Sequence, residues 1–216
     1  VLTWSRCVCQ TFNSLALSSF IKELSSFLFI KKFCIILFQW PRKIEGFWFV
    51  FIEMASLVQI NYTIIESLAG ELILYGNRSS LMGLGFMGTN NWANRIDQWV
   101  EDSATFKEVV IQLNKYFDGT LKEFNIPLSP SGTKFQLGVY RQLIKIPYGE
   151  TRTYTEIAEE IGNTKAVRAV GNANSKNPIA IIIPCHRVIG RDGSLTGFAG
   201  GLEAKKALLK LEENSL

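Results

Sequence analysis

From Leu57 the chain alternates apolar and polar residues, with Val58, Ile60, Tyr62 and Ile64 on one face, a period of two that predicts a strand over Leu57–Ile65. Ala69-Gly70 turns the chain, Glu71–Tyr75 can return as a second strand, and Gly76-Asn77 turns it again before a third apolar stretch, Leu81–Phe86. A small antiparallel sheet is expected. Trp92–Trp99 and Phe106–Phe117 then place apolar residues at helical spacing, the latter through Phe106, Val109, Val110, Leu113 and Phe117. The Pro127–Pro130 stretch, with Ser129, Ser131 and Gly132, reads as a linker. Beyond it Thr133 can cap a helix with the stripe Phe135, Val139, Leu143 and Ile146, ended by Pro147 and Gly149. Thr153 caps a short helix, Tyr154–Ile161, closed by Gly162, and Asn163 caps Thr164–Asn174. Two short helices across a Gly-Asn turn predict a helix-turn-helix. Ile179–Ile183 reads as a buried strand ending at Pro184, Val188-Ile189 and Leu195–Phe198 as a hairpin around Asp192-Gly193, and Leu202–Glu213 as a last helix with Ala204, Ala207, Leu208 and Leu211 inward. No internal repeat is visible.

Composition sets the first 53 residues apart. They hold 9 of the 15 Phe, 3 of the 5 Trp and one of the 17 Gly, and no period persists in them. Phe27–Trp40 is apolar but broken by Lys31 and Lys32, too short for a spanning helix of about 20 residues. We read 1–53 as upstream sequence foreign to the fold, with Met54 as the expected start; a weakly membrane-associating leader and a genuine extra element are the competing readings. The expected organisation is then an N-terminal α+β domain over 54–132 and a C-terminal domain over 133–216.

The net charge of +4 says little alone, but its distribution adds something. Residues 54–132 carry 5 basic and 8 acidic side chains, and residues 133–216 carry 12 and 8. A basic C-terminal part beside an acidic one suggests that a polyanion docks at the C-terminal end. Cys7, Cys9 and Cys34 lie in the first 34 residues, which leaves Cys185 alone in the rest and points to a reducing compartment. With one histidine, His186, and no second Cys pair at finger spacing, no zinc or other metal site is expected.

The sharpest chemistry lies in Pro184-Cys185-His186-Arg187. A buried structural cysteine is the bland alternative. Against it, an imidazole follows directly and guanidinium groups stand at Arg187 and Arg191; positive neighbours lower a thiol pKa and populate the nucleophilic thiolate. Spacing favours the reactive cysteine by a small margin only. A Cys-His hydrolase is weakened, because adjacent Cys and His do not generally face one another and no second histidine can serve as base.

The run Ile183-Pro-Cys-His-Arg-Val-Ile189 resembles the active-site motif of the O6-alkylguanine-DNA alkyltransferases, also called methylated-DNA–protein-cysteine methyltransferases. Gly162-Asn-Thr-Lys-Ala-Val-Arg-Ala-Val-Gly171 is similar to the family's recognition helix and Asn177-Pro178 to its Asn hinge. Pro147-Tyr-Gly-Glu-Thr-Arg-Thr-Tyr154 and Gly200-Gly-Leu202 agree in order and spacing. The similarity is strong over about 133–212 and loose over 54–132.

The resemblance implies a fold of class α+β, with a ribonuclease-H-like small sheet plus helix domain and a winged-helix-like, mainly helical C-terminal domain. It implies a DNA-repair protein that moves the alkyl group from O6-methylguanine in a flipped-out nucleotide onto Cys185, once and irreversibly, as a monomer without cofactor. The implied partner is double-stranded DNA, and the implied setting is the cytoplasm, or the nucleus in a eukaryote. His186, Glu212 and Asn177 are implied to activate the thiol, with His186 acting through water as base, while Tyr154 donates its phenol proton toward guanine N3. Arg168 is implied to fill the gap left by the extruded nucleotide. Lys165, Ala166, Ala169, Gly171, Lys176 and Thr153 are implied at the DNA, and Val188, Thr196, Ala199 and Gly200 around the extruded base. Without the resemblance, Tyr154 reads as packing, Glu212 as a solvated carboxylate and Arg168 as an exposed helical charge. Lys205 also aligns with a family position, but a charged face with Lys206 and Lys210 explains it equally well.

The physics suits the implied reaction. O6 lies inside the base stack, so the nucleotide must leave it, and a long cation can fill the space. Ala166, Ala169, Gly171 and Ala173 keep the second helix slim for close approach to a groove. This chain departs from some members in having Ala199 where they have Ser and Ala180 where they have a second Pro. Methyl transfer is therefore the expectation, with bulkier adducts and O4-alkylthymine left open. Two rivals remain: a base-flipping binding module without the acceptor cysteine, opposed by Cys185, and a transcription regulator, opposed by the lack of a plausible Cys-rich domain in 1–53.

Overall fold

The computed structural model describes residues 59–89 and 92–215. The expectations for 1–53, and for the start of the first strand at Leu57-Val58, lie outside the described residues. Residues from Gln59 onward belong to one compact unit.

Three strands form the predicted meander: β1 (Asn61–Ile65), β2 (Leu72–Asn77) and β3 (Ser80–Phe86). A short β4 (Val100–Glu101) adds in parallel to β1, giving the order β3-β2-β1-β4. The second turn falls later than predicted, because the Asn77 side-chain oxygen accepts from the amides of Ser79 (3.0 Å) and Ser80 (2.9 Å) and folds the chain there. The face of β1 is also opposite to the prediction. Asn61 and Thr63 are buried, while Ile64 is 38% exposed. Asn61 is held inward by its amide, which donates to Thr105 Oγ1 at 3.1 Å, beside the Asp102 carboxylate that caps the following 3-10 turn, Ser103–Phe106. A hydrogen-bonding partner decided the face where hydrophobicity pointed the other way. The opposite face is covered by aromatic rings: Tyr75 stacks on Trp99 at 4.7 Å and lies 5.8 Å from Trp92. Gly83 lies under the Tyr75 ring, which leaves no room for a Cβ. Between the two tryptophans only α1 (Ala93–Ile96) is helical, much shorter than predicted.

Helix α2 (Lys107–Phe117) buries Val109, Leu113 and Tyr116 against the sheet. The Pro127–Pro130 segment is not a free linker. Leu81 donates to Pro127 O (2.9 Å) and Ser129 to Leu81 O (2.8 Å), so the segment covers part of the β3 edge. Farther along the same edge Leu84 donates to Pro178 O and accepts from Ala180 N, both at 2.9 Å. The meander is thus tied directly to the segment that leads to Cys185.

The C-terminal half begins with α3 (Lys134–Leu143), whose Thr133/Gln136 capping box is complete. After the turn at Gly149 (φ 76°) come β5 (Arg152–Thr153) and α4 (Tyr154–Glu160), opened by a second capping box, Thr153/Glu156. Gly162 (φ 76°) closes α4 in the left-handed conformation that glycine tolerates. The second helix starts with a 3-10 turn, Thr164–Ala166, before α5 (Val167–Ser175). Asn163 contributes its backbone carbonyl there and no side-chain cap. The predicted hairpin after Cys185 does not form. Its first arm is β6 (Val188–Ile189), which pairs in parallel with β5, and around Asp192-Gly193 only a turn survives, closed by Gly190 N to Ser194 O at 2.8 Å. Helix α6 (Gly201–Asn214) closes the described chain and buries Ala204, Lys205, Leu208 and Glu212.

Candidate active site

Ile179–Ile183, predicted as a strand, is a coiled support for the thiol. Only Ile179 bridges to β3; the chain then folds on itself, with Ile182 N donating to Ala180 O (2.8 Å) and Ile183 N to Ile179 O (3.0 Å). Ile181 lies at φ 70°, a strained conformation for a β-branched residue. Asn177 fastens both ends: its amide donates to Ile183 O at 2.8 Å and its carbonyl accepts from Ile179 N at 3.1 Å. Every residue from 179 to 183 is buried, so an apolar run reads the same as a strand or as this loop. Cys185 opens a 3-10 turn, Cys185–Arg187, and is 3% exposed. Its carbonyl accepts from the Asn174 amide of α5 at 3.3 Å, a link between the predicted recognition helix and the thiol that the sequence did not suggest.

The guanidinium groups expected to activate Cys185 do not do so. Successive side chains of a 3-10 turn diverge, and Arg187 is turned away toward Glu212, while Arg191 is exposed. Burial pushes the Cys185 thiol up; a hydrogen bond from Asn177 and the Lys205 ammonium act in the opposite sense. Lys205 itself is fully buried, its ammonium donating to Val188 O (2.5 Å) and Thr196 O (2.9 Å). It does not belong to the charged face of Lys206 and Lys210, which are exposed.

Glu212 is the hub of the site and is fully buried, not a solvated helix carboxylate. Its Oε1 accepts from His186 Nε2 (2.9 Å), Arg187 Nη2 (2.9 Å) and Tyr116 Oη (2.6 Å), and its Oε2 from Arg187 Nε (2.9 Å) and Gly149 N (3.1 Å). Arg187 also donates to Ile146 O at 2.6 Å. Asn177, expected in this network, makes no bond to His186; it serves the Cys185 side. Sequence reasoning missed Tyr116, Gly149 and the role of Arg187. A signal for Tyr116 existed, since a tyrosine on the core stripe of α2 needs a partner for its hydroxyl.

Burial lowers the His186 pKa, and the Glu212 carboxylate only partly offsets this, so the ring is neutral at pH 7. Donation from Nε2 leaves Nδ1 as the bare nitrogen of that tautomer; it is buried and has no protein partner among the described residues. For Glu212, burial raises the pKa, but hydrogen bonds and charge from His186 and Arg187 reverse this and bring it to about 2. With His186 neutral, Arg187 supplies the counter-charge. Both groups have folded-state pKa values below their unfolded ones, so each contributes stability above its unfolded pKa and loses it as pH falls. His186 begins to withdraw stability below about pH 6.5. Glu212 withdraws about 3 kcal/mol between about pH 4.5 and pH 2. Urea unfolding at pH 7, 5.5, 4 and 3 should show a stepwise decline; a flat profile down to pH 4 contradicts the assignment.

The other predicted residues divide by placement. Tyr154, half-buried at the start of α4, accepts from the Thr196 hydroxyl at 3.1 Å. Thr196 and Ala199 are exposed, and Gly200 lies against the Phe86 ring with no room for a Cβ. The Val188 side chain is in the core, and its carbonyl accepts from the Lys205 ammonium. Lys165, Arg168, Ala169 and Lys176 are exposed along the second helix and its approach, whereas Ala166 and Ala173 are buried. Gly171 passes the Tyr154 ring, with a Cβ position 3.9 Å away. Thr153 is occupied as the cap of α4. Among the described residues no cluster of His, Cys, Asp or Glu is arranged to hold a metal, and no helix is long and apolar enough to cross a membrane.

A helix-turn-helix with exposed cations, packed beside a buried cysteine and a histidine, is the arrangement of a DNA-binding protein with a thiol close to its DNA-facing helix. Comparison with known proteins makes this specific. Residues 60–130 match the family model described as the ribonuclease-like domain of 6-O-methylguanine DNA methyltransferase, and residues 134–214 match that of its DNA binding domain. A methylated-DNA–protein-cysteine methyltransferase of Methanosarcina barkeri is 54% identical over 155 residues, 72% of this chain and 98% of that protein. The same-named protein of Mycobacterium tuberculosis is 50% identical over 155 residues, 72% of this chain and 93% of that one. The crystal structure of the M. tuberculosis O6-methylguanine methyltransferase superposes with a TM-score of 0.69 at 48% identity, covering 73% of this chain and 95% of that one. The M. tuberculosis OGT in complex with DNA gives 0.68 at 48% identity, covering 72% and 94%. The chain belongs to the methylated-DNA–protein-cysteine methyltransferase family, and it repairs DNA by transferring the alkyl group to a cysteine of its own.

Proposed function

We propose that Cys185 is the acceptor and that the Glu212 hub readies it. The observation that carries the reading is the bond from His186 Nε2 to Glu212 Oε1, which leaves the bare Nδ1 of the residue next to the thiol as a base. The Cys185 proton passes through an intervening water to His186 Nδ1. The thiolate attacks the methyl carbon of O6-methylguanine, the carbon–O6 bond breaks, and its electron pair returns to the purine. Tyr154 delivers a proton to guanine N3 as that charge develops, and Thr196 and Lys205 hold the rim on which Tyr154 sits. The product is a buried thioether without a leaving group, so each molecule acts once.

For the base to reach Cys185 its nucleotide must leave the duplex, and exposed Arg168 on α5 enters the space it vacates. Lys165 and Lys176 hold phosphates on either side of it, which makes affinity fall with salt. The protein works as a monomer without cofactor, in the cytoplasm or, in a eukaryote, the nucleus.

The test is to incubate the protein with a duplex containing O6-methylguanine and weigh it. One added methyl on the peptide containing Cys185, stopping at one equivalent, is the expected result. Unchanged mass with retained DNA binding would instead define a binding module. A parallel duplex with O4-methylthymine reads whether the pyrimidine adduct shares the site.

A further inference from the structure

We propose that Tyr116, on the helix of the ribonuclease-like half, is a positioning residue for methyl transfer that fixes the proton of His186 by sharing its acceptor oxygen. This rests on the assignment of His186 as the base. The Tyr116 hydroxyl donates to Glu212 Oε1 at 2.6 Å, the same atom that accepts from His186 Nε2 at 2.9 Å. The two donors lie 3.4 Å apart, brought together by the oxygen between them. Both are buried; the Tyr116 side chain has no exposed surface, and the Phe117, Phe124 and Tyr148 rings pack around it.

An oxygen that already accepts a short bond from a phenol has less negative charge to offer an imidazolium. Tyr116 therefore keeps Glu212 strong enough to orient the ring through Nε2, yet too weak to draw a second proton onto it. That leaves Nδ1 bare. The groups around His186 are Glu212 and Lys205 from α6, Cys185 and Arg187 from its own turn, and Tyr116 from α2, with Phe198 against the ring. Of these, Tyr116 is contributed by the other half of the protein, far from the motif in sequence. The arrangement makes the N-terminal half part of the chemistry.

Because the chain contains one histidine, its ring can be followed by NMR without ambiguity. Ring nitrogen shifts should show the Nε2–H tautomer at pH 7 in the unaltered protein. Tyr116→Phe, which removes one oxygen and keeps the ring, should raise the midpoint of His186 titration by about one pH unit. The acid limb of the methyl-transfer rate should move up with it, lowering the rate about threefold to tenfold near that midpoint. Val109→Ala, a core truncation on the same helix away from the hub, controls for destabilisation and should leave the midpoint unchanged.

An Nδ1–H tautomer in the unaltered protein, an unmoved midpoint in Tyr116→Phe, or an equal shift in Val109→Ala overturns the inference. A midpoint that moves while the acid limb stays supports Tyr116 as the residue that sets the ring and overturns His186 as the base, so the two failures are distinct.

Discussion

Cys185→Ser is expected to end methyl transfer completely while duplex binding persists. A serine hydroxyl holds its proton far more tightly than a thiol, so beside a neutral imidazole at pH 7 almost no alkoxide forms, and a hydroxyl is a far weaker nucleophile than a thiolate toward a methyl carbon. Binding survives because the exposed cations, Lys165, Arg168 and Lys176, lie on the second helix and its flanks, and none of them touches the thiol. Burying a hydroxyl where a 3% exposed sulfur stood costs about 1–2 kcal/mol, which the fold can bear. Mass spectrometry after incubation with O6-methylguanine duplex, with fluorescence anisotropy on the same duplex, checks both halves. A serine variant that still clears the lesion removes Cys185 from the mechanism.

Glu212→Ala is expected to destabilise the protein by about 3–5 kcal/mol, because it strands a buried charge. Arg187 would keep its bond to Ile146 O but lose both carboxylate oxygens, and Tyr116, His186 and Gly149 would each lose an acceptor. For a domain of this size that is a large part of the total stability. Urea unfolding at pH 7 measures it; a loss below about 1 kcal/mol would show that the hub is hydrated or replaceable. Because the low-pH decline and this substitution act on the same carboxylate, the variant should also show little further loss between pH 4.5 and pH 2.

Features decided by neighbours in sequence were readable from it. The Thr133 and Thr153 caps and the helix stop at Gly162 lie where the residues place them. Ile179–Ile183 was misread for a physical reason: five buried apolar residues look alike whether their backbone pairs with a strand or closes on itself, and the difference lies in Asn177, whose side chain replaces the missing ladder. The inverted face of β1 has the same origin. Asn61 points inward because Asp102 and Thr105, some forty residues later, offer partners there.

By itself the sequence determined the helices capped by Thr133 and Thr153, the motif around Cys185 and the family whose reaction it serves. Tertiary structure alone decided which charges meet: it turned Arg187 away from the thiol, buried Lys205 under Val188 and Thr196, and gathered Tyr116, Gly149, His186, Arg187 and Glu212 around one carboxylate. Short-range order follows from each residue's own backbone preferences and nearest bonding partners. A buried ionic cluster instead requires that groups far apart along the chain lose water together, and only the folded packing specifies which ones do.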